Sequence, residues 1–295
     1  MKVGYVAILG RPNVGKSSLL NALLSKRVSI VSPRAQTTRD AISGILNEKG
    51  SQIVFVDTPG LFQGEGKLDS YMKRSAFSSV KGVDAIVYIL DASEDNYEED
   101  YKTIGQLKQQ APLIILFNKI DLISAEEGMK KKEDIAAHFP DCPIIEASIK
   151  ENFGLKEVKA ALLPHLVEGE PFYPENILSD KDKTFEAREV IREKMLHFLS
   201  QEVPHQAAVK ITHFSKSDAG SLIEATLILN KKSHLGIVIG KSGSMIKKIS
   251  MAARQELEQR WHERVASLIL QAEAVPSWRN DPKILQELGY AIGRD

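Results

Sequence analysis

The amino-acid sequence predicts an α/β domain with a mostly parallel sheet, followed by a smaller α+β domain. The length of 295 residues suits two domains of about 150 residues each. In the first half of the chain, short apolar runs alternate with helical segments, as in a parallel sheet covered on both faces. After a proline-rich stretch the order changes to a helix, two strands, another helix and a strand.

Five apolar runs predict the strands of the first domain, and the segments between them have helical spacing. In chain order these elements are Val6–Leu9, Lys16–Ser25, Ile53–Val56, Asp69–Val80, Ala85–Leu90, Tyr97–Gln110, Leu113–Phe117, Glu126–His138, Pro143–Ile145 and Leu155–Leu163. Ligands of open α/β sheets bind at the carboxyl ends of the strands. We therefore expect a binding site where these runs end.

A linker is predicted where neither the helical nor the strand spacing of apolar residues persists. That stretch contains Pro164, Gly169, Pro171 and Pro174. The predicted boundaries are residues 1–168 for the first domain, 169–180 for the linker and 181–295 for the second domain. In the second domain we expect, in order, a helix at Lys183–Ser200, strands at Ala207–Phe214 and Leu222–Leu229, the apolar run Ile237–Ile239, a helix from Ser244 to about Arg260 and a strand at Val265–Leu270.

The first predicted strand runs directly into the phosphate-loop pattern G-x-x-x-x-G-K-[ST]. The candidate nucleotide contacts there are Gly10, Arg11, Pro12, Asn13, Val14, Gly15, Lys16, Ser17 and Ser18. Its glycines let backbone N–H groups surround the α- and β-phosphates, Lys16 reaches the β- and γ-phosphates, and the Ser17 hydroxyl ligates Mg²⁺. A chance match in a strand–helix turn is the alternative, and two further motifs at the right spacing argue against it.

Those two motifs follow the second and fourth predicted strands. The first is Asp57, Thr58, Pro59 and Gly60, and the second is Asn118, Lys119, Ile120 and Asp121. A carboxylate at Asp57 can hold the metal through water, and the Gly60 N–H can contact the γ-phosphate. Asp121 can accept two hydrogen bonds from guanine, whereas adenine has no matching donors. In this order the three motifs predict that the chain binds GTP and GDP with Mg²⁺.

Between the phosphate loop and Asp57 lies the switch segment, residues 32–40. It is polar, and its apolar residues have neither helical nor strand spacing. A mobile loop here can close on the γ-phosphate through a threonine bound to Mg²⁺ and release after hydrolysis. We predict Thr38 as that ligand and Thr37 as the second choice. The alternative is a plain surface loop in which threonine is a turn residue.

The source of catalytic positive charge is open. Gly60 is followed by Leu61 and Phe62, and neither side chain can polarise the attacking water. Three arginines could supply charge: Arg11, Arg34 and Arg39. Asn13 could instead help hold a monovalent cation beside the phosphates, which leads to the hypothesis of a slow GTPase that K⁺ accelerates more than Na⁺. The alternative is that Asn13 only braces the loop.

Composition restricts the location and the partners. The chain has 39 acidic and 39 basic residues, so its net charge does not by itself attract nucleic acid. The single Cys142, the start of the chain without a signal-peptide core and the lack of an 18-residue apolar stretch lead us to expect a cytoplasmic protein without a transmembrane segment. Between Glu224 and Glu256, however, the chain has no acidic residue. That window contains Lys231, Lys232, Lys241, Lys247, Lys248 and Arg254.

The basic window surrounds a GXXG sequence: Gly240, Lys241, Ser242 and Gly243. An apolar run before this loop and a basic helix after it are typical of a KH domain, whose loop clamps about four nucleotides of single strand. We predict that Lys247, Lys248 and Arg254 meet RNA phosphates along one helix face. A turn that caps one helix before the next is the alternative.

Over nearly its whole length the chain resembles the Era family of bacterial GTPases. The shared motifs are G-R-P-N-V-G-K-S at Gly10–Ser17, Q-T-T-R at Gln36–Arg39, D-T-P-G at Asp57–Gly60, N-K-I-D at Asn118–Asp121, A-R-E-V-I-R-E-K at Ala187–Lys194, E-V-P-H at Glu202–His205 and I-G-K-S-G at Ile239–Gly243. The C-terminal motifs are the more specific ones.

The resemblance implies a Ras-like P-loop GTPase domain followed by a type II KH domain. It also implies binding to the 3′ end of small-subunit (16S) ribosomal RNA and assistance in maturation of the small ribosomal subunit, and for some members peripheral association with the inner membrane. The main alternative is an RNA-binding scaffold or chaperone whose nucleotide site is structural.

The sequence departs from the family at two places. Where relatives usually have a Ser-Ala pair that contacts guanine, this chain has Glu146-Ala147-Ser148, and we expect Ala147 and Ser148 to make that contact. Near the C-terminus, Glu273 lies in a stretch where relatives usually carry a lysine. If that lysine meets phosphate, we expect weaker RNA binding here.

Overall fold

The structure is a computed structural model that describes residues 1–34, 36–61 and 65–290. The described residues form two compact units. One unit lies within Met1–Phe62 and Met72–Asp180, and the other within Gln63–Tyr71 and Lys181–Asp295. Within the described part of the chain, no helix has the length and apolar character needed to cross a membrane.

The first unit is built on one mixed sheet. Its strands are β1 (Lys2–Gly10), β2 (Ile42–Glu48), β3 (Ser51–Asp57), β4 (Ala85–Asp91), β5 (Leu113–Asn118), β6 (Ile144–Ala147) and β7 (Val167–Glu168). The order is β2-β3-β1-β4-β5-β6, and β7 pairs with the start of β1. Only β2 and β7 run antiparallel to their neighbours, so the sheet is mostly parallel, as predicted.

Helices cover both faces of this sheet. In chain order up to Asp180 they are α1 (Lys16–Leu24), α2 (Lys67–Ser78), α3 (Glu98–Leu107), α4 (Ala125–His138) and α5 (Leu155–Leu162). On β1, Val6 and Ile8 pack into one apolar cluster with α1 and α5, whereas Ala7 and Leu9 pack into another with α3 and α4. Because successive strand side chains point to opposite faces, these two clusters are the two layers of the core.

Strand β2 was not predicted. Its central Gly44 interrupts the apolar run, but a Cβ there would lie 2.6 Å from Cδ1 of Leu20 and 2.7 Å from Cδ1 of Leu24. The glycine therefore lets α1 approach the strand closely. Antiparallel pairing with β3, from Ile42 opposite Asp57 to Glu48 opposite Ser51, supplies the backbone partners of β2.

Residues 172–180 form a segment, here called the strap, that lies along β2 and β3. The ring of Phe172 packs on Tyr5 at a centroid distance of 4.8 Å. Hydrogen bonds join Gln52 Nε2 to the Tyr173 carbonyl at 2.8 Å, the Ile45 N–H to the Leu178 carbonyl at 2.9 Å, and the Ser43 N–H to Asp180 Oδ1 at 3.0 Å. The predicted linker residues are thus attached to the first unit.

The second unit is an α+β fold. Its elements are α6 (Lys183–Phe198), β8 (Ala207–Ser217), β9 (Gly220–Leu229), α7 (Ser233–Ile239), α8 (Ser244–Trp261), β10 (Val265–Ala274) and α9 (Pro282–Glu287). The three strands are ordered β10-β9-β8, with β9 parallel to β10 and antiparallel to β8. Helices α6, α7 and α8 contribute to its apolar core. The apolar run Ile237–Ile239 belongs to α7, a helix that the sequence analysis did not predict.

The chain after β10 completes the second unit. Trp278, Leu285, Leu288 and Tyr290 are buried. The Trp278 indole N–H donates to the carbonyl of Gln206 at 3.0 Å, which satisfies its polar atom. Residues 291–295, the end of the predicted second domain, lie outside the described residues.

A buried ion pair lies inside α6. The Arg192 guanidinium donates to the Glu189 carboxylate, and both side chains are almost fully buried. Attraction to Glu189 raises the pKa of Arg192, against burial, which lowers it. Arg188 Nε also lies 3.3 Å from Glu189 Oε1. Removing Arg192 nevertheless takes the nearer cation from the buried Glu189 carboxylate, whereas removing both members of the pair leaves no such charge.

Replacing Arg192 with Met should therefore destabilise the second unit by about 3–5 kcal/mol. Both tryptophans, Trp261 and Trp278, belong to this unit. Urea unfolding of the full chain followed by tryptophan fluorescence therefore measures this unit selectively. The control is the double variant Glu189→Leu with Arg192→Met, which should regain most of the lost stability. A double variant as unstable as the single one would show that packing, not charge, causes the loss.

Candidate functional site

The phosphate loop has a backbone that requires glycine at two positions. Gly10 and Gly15 have φ values of +143° and +111°. A Cβ at Gly10 would lie 2.6 Å from the Ile89 carbonyl oxygen, and one at Gly15 would lie 2.7 Å from Asn118 Nδ2. Helix α1 begins at Lys16, so its positive N-terminal end lies at this loop, an arrangement that favours an anion.

The phosphate loop and the switch segment face each other across a cleft. Its lining includes Pro12, Asn13, Gly15, Lys16, Ser17 and Ser18 from the first element, Ser32, Gln36, Thr37 and Thr38 from the second, and Gly60. Ala35 of the switch segment and Phe62, one of the two positions expected to lack a water-polarising side chain, lie outside the described residues. The structure thus gathers most of the predicted phosphate contacts around one cavity, whereas Gly10, Arg11 and Val14 are not among its lining residues.

Lys16 is buried at the base of this cleft. Its ammonium donates to the carbonyls of Gly10 at 3.1 Å and Arg11 at 2.7 Å. Burial lowers the pKa of Lys16 to about 8, and attraction to Asp57 partly opposes that shift. A phosphate oxygen would add the negative charge that favours the protonated lysine.

Asp57 lies at the end of β3 and is the centre of a hydroxyl cluster. Its Oδ2 accepts hydrogen bonds from Ser17 at 2.6 Å, Ser29 at 2.8 Å and Thr38 at 3.4 Å. The hydroxyls of Ser17 and Thr38 lie 2.8 Å apart. Burial raises the pKa of the Asp57 carboxyl, and the hydroxyl donors and Lys16 oppose that shift.

This cluster fits a magnesium ion. Among the described residues, the buried Oδ1 of Asp57 has no hydrogen-bond partner. A carboxylate oxygen that carries negative charge is thus left without a donor. One carboxylate and two hydroxyls are the hard oxygen donors that Mg²⁺ prefers. The Thr37 hydroxyl instead donates to the Arg34 carbonyl at 2.6 Å. The structure therefore places Thr38, the first choice, beside Ser17 and Asp57.

Asn13 and Arg11 both have partners in this structure. The Asn13 side-chain N–H donates to the Pro33 carbonyl at 3.0 Å, which braces the phosphate loop against the switch segment. Arg11 Nε lies 2.8 Å from Asp100 Oδ2 in α3, and the Tyr88 hydroxyl donates to the same carboxylate at 2.8 Å. Arg11 is thus held by α3, and Arg39 is buried.

Near Gly60 the structure places an apolar side chain. Leu61 packs against the apolar cluster of α3 and α4, and its N–H donates to the Gly10 carbonyl at 3.2 Å. The Thr58 hydroxyl donates to the Ile8 carbonyl at 2.8 Å, which joins β3 to β1 below the cleft. A Cβ on Gly60 would lie 3.0 Å from the Pro12 backbone, so the two phosphate motifs approach closely.

Asn118 joins the phosphate loop to the loop after β6. Its Nδ2 donates to the Val14 carbonyl at 2.8 Å, and its Oδ1 accepts from the Ile149 N–H at 3.1 Å. The Ser148 hydroxyl donates to Asp121 Oδ1 at 2.7 Å, directly after the buried Ala147. Lys119, with φ +67°, forms an ion pair with Asp91. The candidate guanine contacts and the phosphate loop are thus parts of one connected structure.

Sequence reasoning missed three of these features. They are the Ser29 hydroxyl on Asp57, the Ile149 N–H on Asn118 and the Ser148 hydroxyl on Asp121. None of the three donors belongs to a spaced motif, because the loop after α1 brings Ser29 to its partner and the loop after β6 brings Ser148 and Ile149 to theirs. The neighbouring apolar runs predict strands but do not predict which loop atoms meet.

In the second unit, the GXXG loop is a short turn between α7 and α8. Gly240, Ser242 and Gly243 have φ values of +73°, +51° and +77°, and the Gly240 N–H donates to the Gly236 carbonyl at 2.9 Å. The loop therefore does cap α7, and it also presents the exposed Lys241 and Ser242 to solvent.

The basic residues of α8 differ in how they are held. Lys247 is exposed. The Lys248 ammonium lies over the Phe198 ring at 4.4 Å, and Arg254 Nε donates to Glu258 at 3.3 Å. Glu273, the predicted departure from the family, is exposed on β10. Lys247 and Lys248 are exposed on the helix that leaves the GXXG loop, as the phosphate-contact prediction requires.

Comparisons with known proteins place both units. The family model described as 50S ribosome-binding GTPase matches residues 5–119, and the KH domain model matches residues 202–269. GTPase Era of Clostridium kluyveri is 39% identical over 292 residues, which cover 98% of this chain and 99% of that protein. GTPase Era of Ruminiclostridium cellulolyticum is 37% identical over 296 residues, which cover 100% of this chain and 99% of that protein.

Two solved structures are similar over both units. A variant of Aquifex aeolicus Era bound to GDP·AlF₄⁻ matches with a TM-score of 0.93 and 37% identity, covering 99% of this chain and 100% of that chain. Era in complex with MgGDPNP and nucleotides 1506–1542 of 16S ribosomal RNA matches with the same score, identity and coverage. With a Ras-like GTPase fold and a KH fold in the same order along its length, the chain belongs to the Era family of GTPases.

Proposed function

We propose that this chain is an Mg²⁺-dependent GTP-hydrolysing switch that binds the 3′ end of small-subunit ribosomal RNA and assists small-subunit maturation. The observation that carries the proposal is a complete candidate nucleotide site and an exposed GXXG loop in one chain, matched over 99% of its length by an Era structure that holds both MgGDPNP and 16S ribosomal RNA nucleotides. The inferred cytoplasmic location relies on the single Cys142. Peripheral membrane association is an expectation of the family resemblance.

The proposed roles of the site residues follow from the cleft. Lys16 and Gly60 contact the γ-phosphate, Ser17 and Thr38 ligate Mg²⁺, and Asp57 holds it through water. Asp121 receives the guanine N–H donors, and the backbone of Ala147 and Ser148 contacts the base. Gly240 to Gly243, with Lys247, Lys248 and Arg254, contact RNA. We propose residues 1–168 as the GTPase domain, 169–180 as the linker and 181–295 as the KH domain.

A route for the nucleotide state to reach the linker is present within the first unit. Thr38 lies four residues before β2, and β2 hydrogen-bonds to the strap through Ser43 and Ile45. The strap ends at Asp180, directly before the second unit. A change at Thr38 can therefore alter the strand that holds the linker. Coupling requires that RNA affinity differ between the nucleotide states.

The base assignment predicts the effect of replacing Asp121 with Asn. An amide presents one acceptor and one donor where the carboxylate presents two acceptors, so preference should move from guanosine to xanthosine nucleotides. Competition of GDP and XDP against a fluorescent nucleotide measures it. The control is Asn118→Ala, which breaks the ties to Val14 and Ile149 and should weaken both nucleotides alike. An Asp121→Asn variant that still prefers GDP would contradict the assignment.

The switch hypothesis predicts that RNA binds more tightly in the GTP state. A short single-stranded RNA with the small-subunit 3′-end sequence should bind about 5–150-fold more tightly with a non-hydrolysable GTP analogue than with GDP, at fixed salt. Lys241→Asp should abolish most of this binding, whereas Lys283→Asp, an equal charge change at an exposed residue of α9, should not. Equal binding in both states would support the scaffold alternative, and no binding would contradict the RNA assignment.

The cation hypothesis concerns Asn13 and Leu61. Because Leu61 packs into an apolar cluster, no charge or water-polarising group is expected from it. If Asn13 Oδ1 ligates a monovalent cation at the phosphates, GTP hydrolysis should be about tenfold faster in K⁺ than in Na⁺. Rates in the two chloride salts at matched ionic strength test this, with Asn13→Ala as the variant that should lose the difference. Equal rates for the unmodified chain would leave Asn13 as the brace to Pro33 alone.

A further inference from the structure

Ser29 is a buried residue of the loop between α1 and the switch segment, and no nucleotide-binding motif includes it. Its side chain is 0% exposed, and its hydroxyl donates to Asp57 Oδ2 at 2.8 Å. The carboxylate itself is 0% exposed. A hydrogen bond to a buried charged group contributes more than one between neutral groups, so this contact has a strong effect on where the carboxylate points.

A second side chain fixes Ser29 in place. Asn21, on α1, accepts from the backbone N–H groups of Val28 at 2.9 Å and Ser29 at 3.0 Å. The Asn21 Nδ2 donates to the Ser29 carbonyl at 2.8 Å. Asn21 thus binds both backbone groups of Ser29. Because Asn21 and Ser17 are on the same helix, the Ser29 hydroxyl is held in a fixed relation to the phosphate loop.

The three hydroxyls on Asp57 Oδ2 differ in what else they do. Thr38 belongs to the switch segment and Ser17 to the phosphate loop, and both are proposed Mg²⁺ ligands, so a bound metal would engage both hydroxyls. Ser29 is not among the residues that line the cleft, and its polar atoms bond to Asn21 and Asp57. Of the three donors, it is the one that is not a proposed Mg²⁺ ligand.

We propose that Ser29 is a positioning residue, which holds Oδ2 of Asp57 so that the free Oδ1 faces the water shell of Mg²⁺. The inference rests on the proposed magnesium site. Partners that orient a metal-binding group commonly change metal affinity by about 10–100-fold when removed. Because two other hydroxyls also reach Oδ2, we expect the lower end of that range for Ser29.

The test measures Mg²⁺ affinity through nucleotide release. Release of a fluorescent GDP from the full chain is followed as a function of Mg²⁺ concentration, and in excess EDTA. For Ser29→Ala, the Mg²⁺ concentration at which the slowing of GDP release is half-maximal should rise about tenfold. Release in EDTA should not change, because the phosphate and base contacts remain. Mn²⁺, which binds such sites more tightly, should reduce the defect.

Two further variants separate a lost donor from a lost volume. Ser29→Cys keeps nearly the same volume but is a weak donor, so it should show the same loss as Ser29→Ala. Ser51→Ala removes another buried serine hydroxyl from the same strand as Asp57, at its opposite end, and should leave Mg²⁺ dependence unchanged.

The results of this test distinguish a failure of the Ser29 role from a failure of the proposed magnesium site. If Mg²⁺ does not slow GDP release from the unmodified chain, the magnesium site is wrong and the inference fails with it. If Mg²⁺ slows release equally in the unmodified chain and in Ser29→Ala, only the role of Ser29 is overturned. Faster release of equal size in EDTA, or full recovery in Ser29→Cys, would show that Ser29 only fills space.

Discussion

Burial of the Asp57 carboxylate is the constraint on which the nucleotide site depends. A carboxylate with no exposed surface at the end of a central strand costs free energy unless charges and donors compensate it. In this chain the compensating groups come from three separate segments: the phosphate loop, the loop after α1 and the switch segment. Each segment is therefore positioned by the same oxygen atom. Among the described residues, the buried Oδ1 of the same carboxylate has no hydrogen-bond partner.

Asn118 plays the corresponding part at the base end of the site. Its amide satisfies a phosphate-loop carbonyl and a backbone N–H beyond β6, both buried. This contact requires glycine at position 15, because a Cβ there would collide with the Asn118 amide. The elements predicted to recognise the phosphates and the base are thus joined by direct hydrogen bonds. A shift of one loop has consequences for the other.

In the second unit, the structural requirement is to keep the GXXG loop, whose backbone has left-handed conformations, exposed to solvent. Three positive φ values occur within four residues of the GXXG loop, and a helix begins or ends on each side of it. Beneath the loop, the unit is stabilised by an apolar core and by the buried Glu189–Arg192 pair. The segment around Trp278 completes that unit although it lies beyond the matched KH residues.

Much of the site was predictable because its residues are adjacent in the chain or follow strand ends at fixed spacing. Gly10 to Ser17, Asp57 to Gly60 and Asn118 to Asp121 are local patterns, and the apolar runs before them identify most of the strands on which they sit. Thr38, predicted to ligate Mg²⁺, has its hydroxyl 2.8 Å from that of Ser17, whereas the hydroxyl of Thr37, the second choice, donates to the Arg34 carbonyl.

The remaining features depend on contacts between distant segments. Strand β2 was not predicted because Gly44 interrupts its apolar residues, and the close approach of Leu20 and Leu24 explains that glycine. Arg11 is a candidate for catalytic charge, and folding brings Asp100 of α3 beside it, which the sequence did not predict. Ser29 belongs to no motif of the sequence, and only folding places the buried Asp57 carboxylate within hydrogen-bonding distance of it. Ser148 was a candidate guanine contact, but its hydrogen bond to Asp121 also follows only from the fold. The sequence by itself determined the motifs and the order of the elements, because local spacing encodes both. Only the tertiary structure decided which loop atoms meet, because hydrogen bonds between loops leave no periodic pattern in the chain.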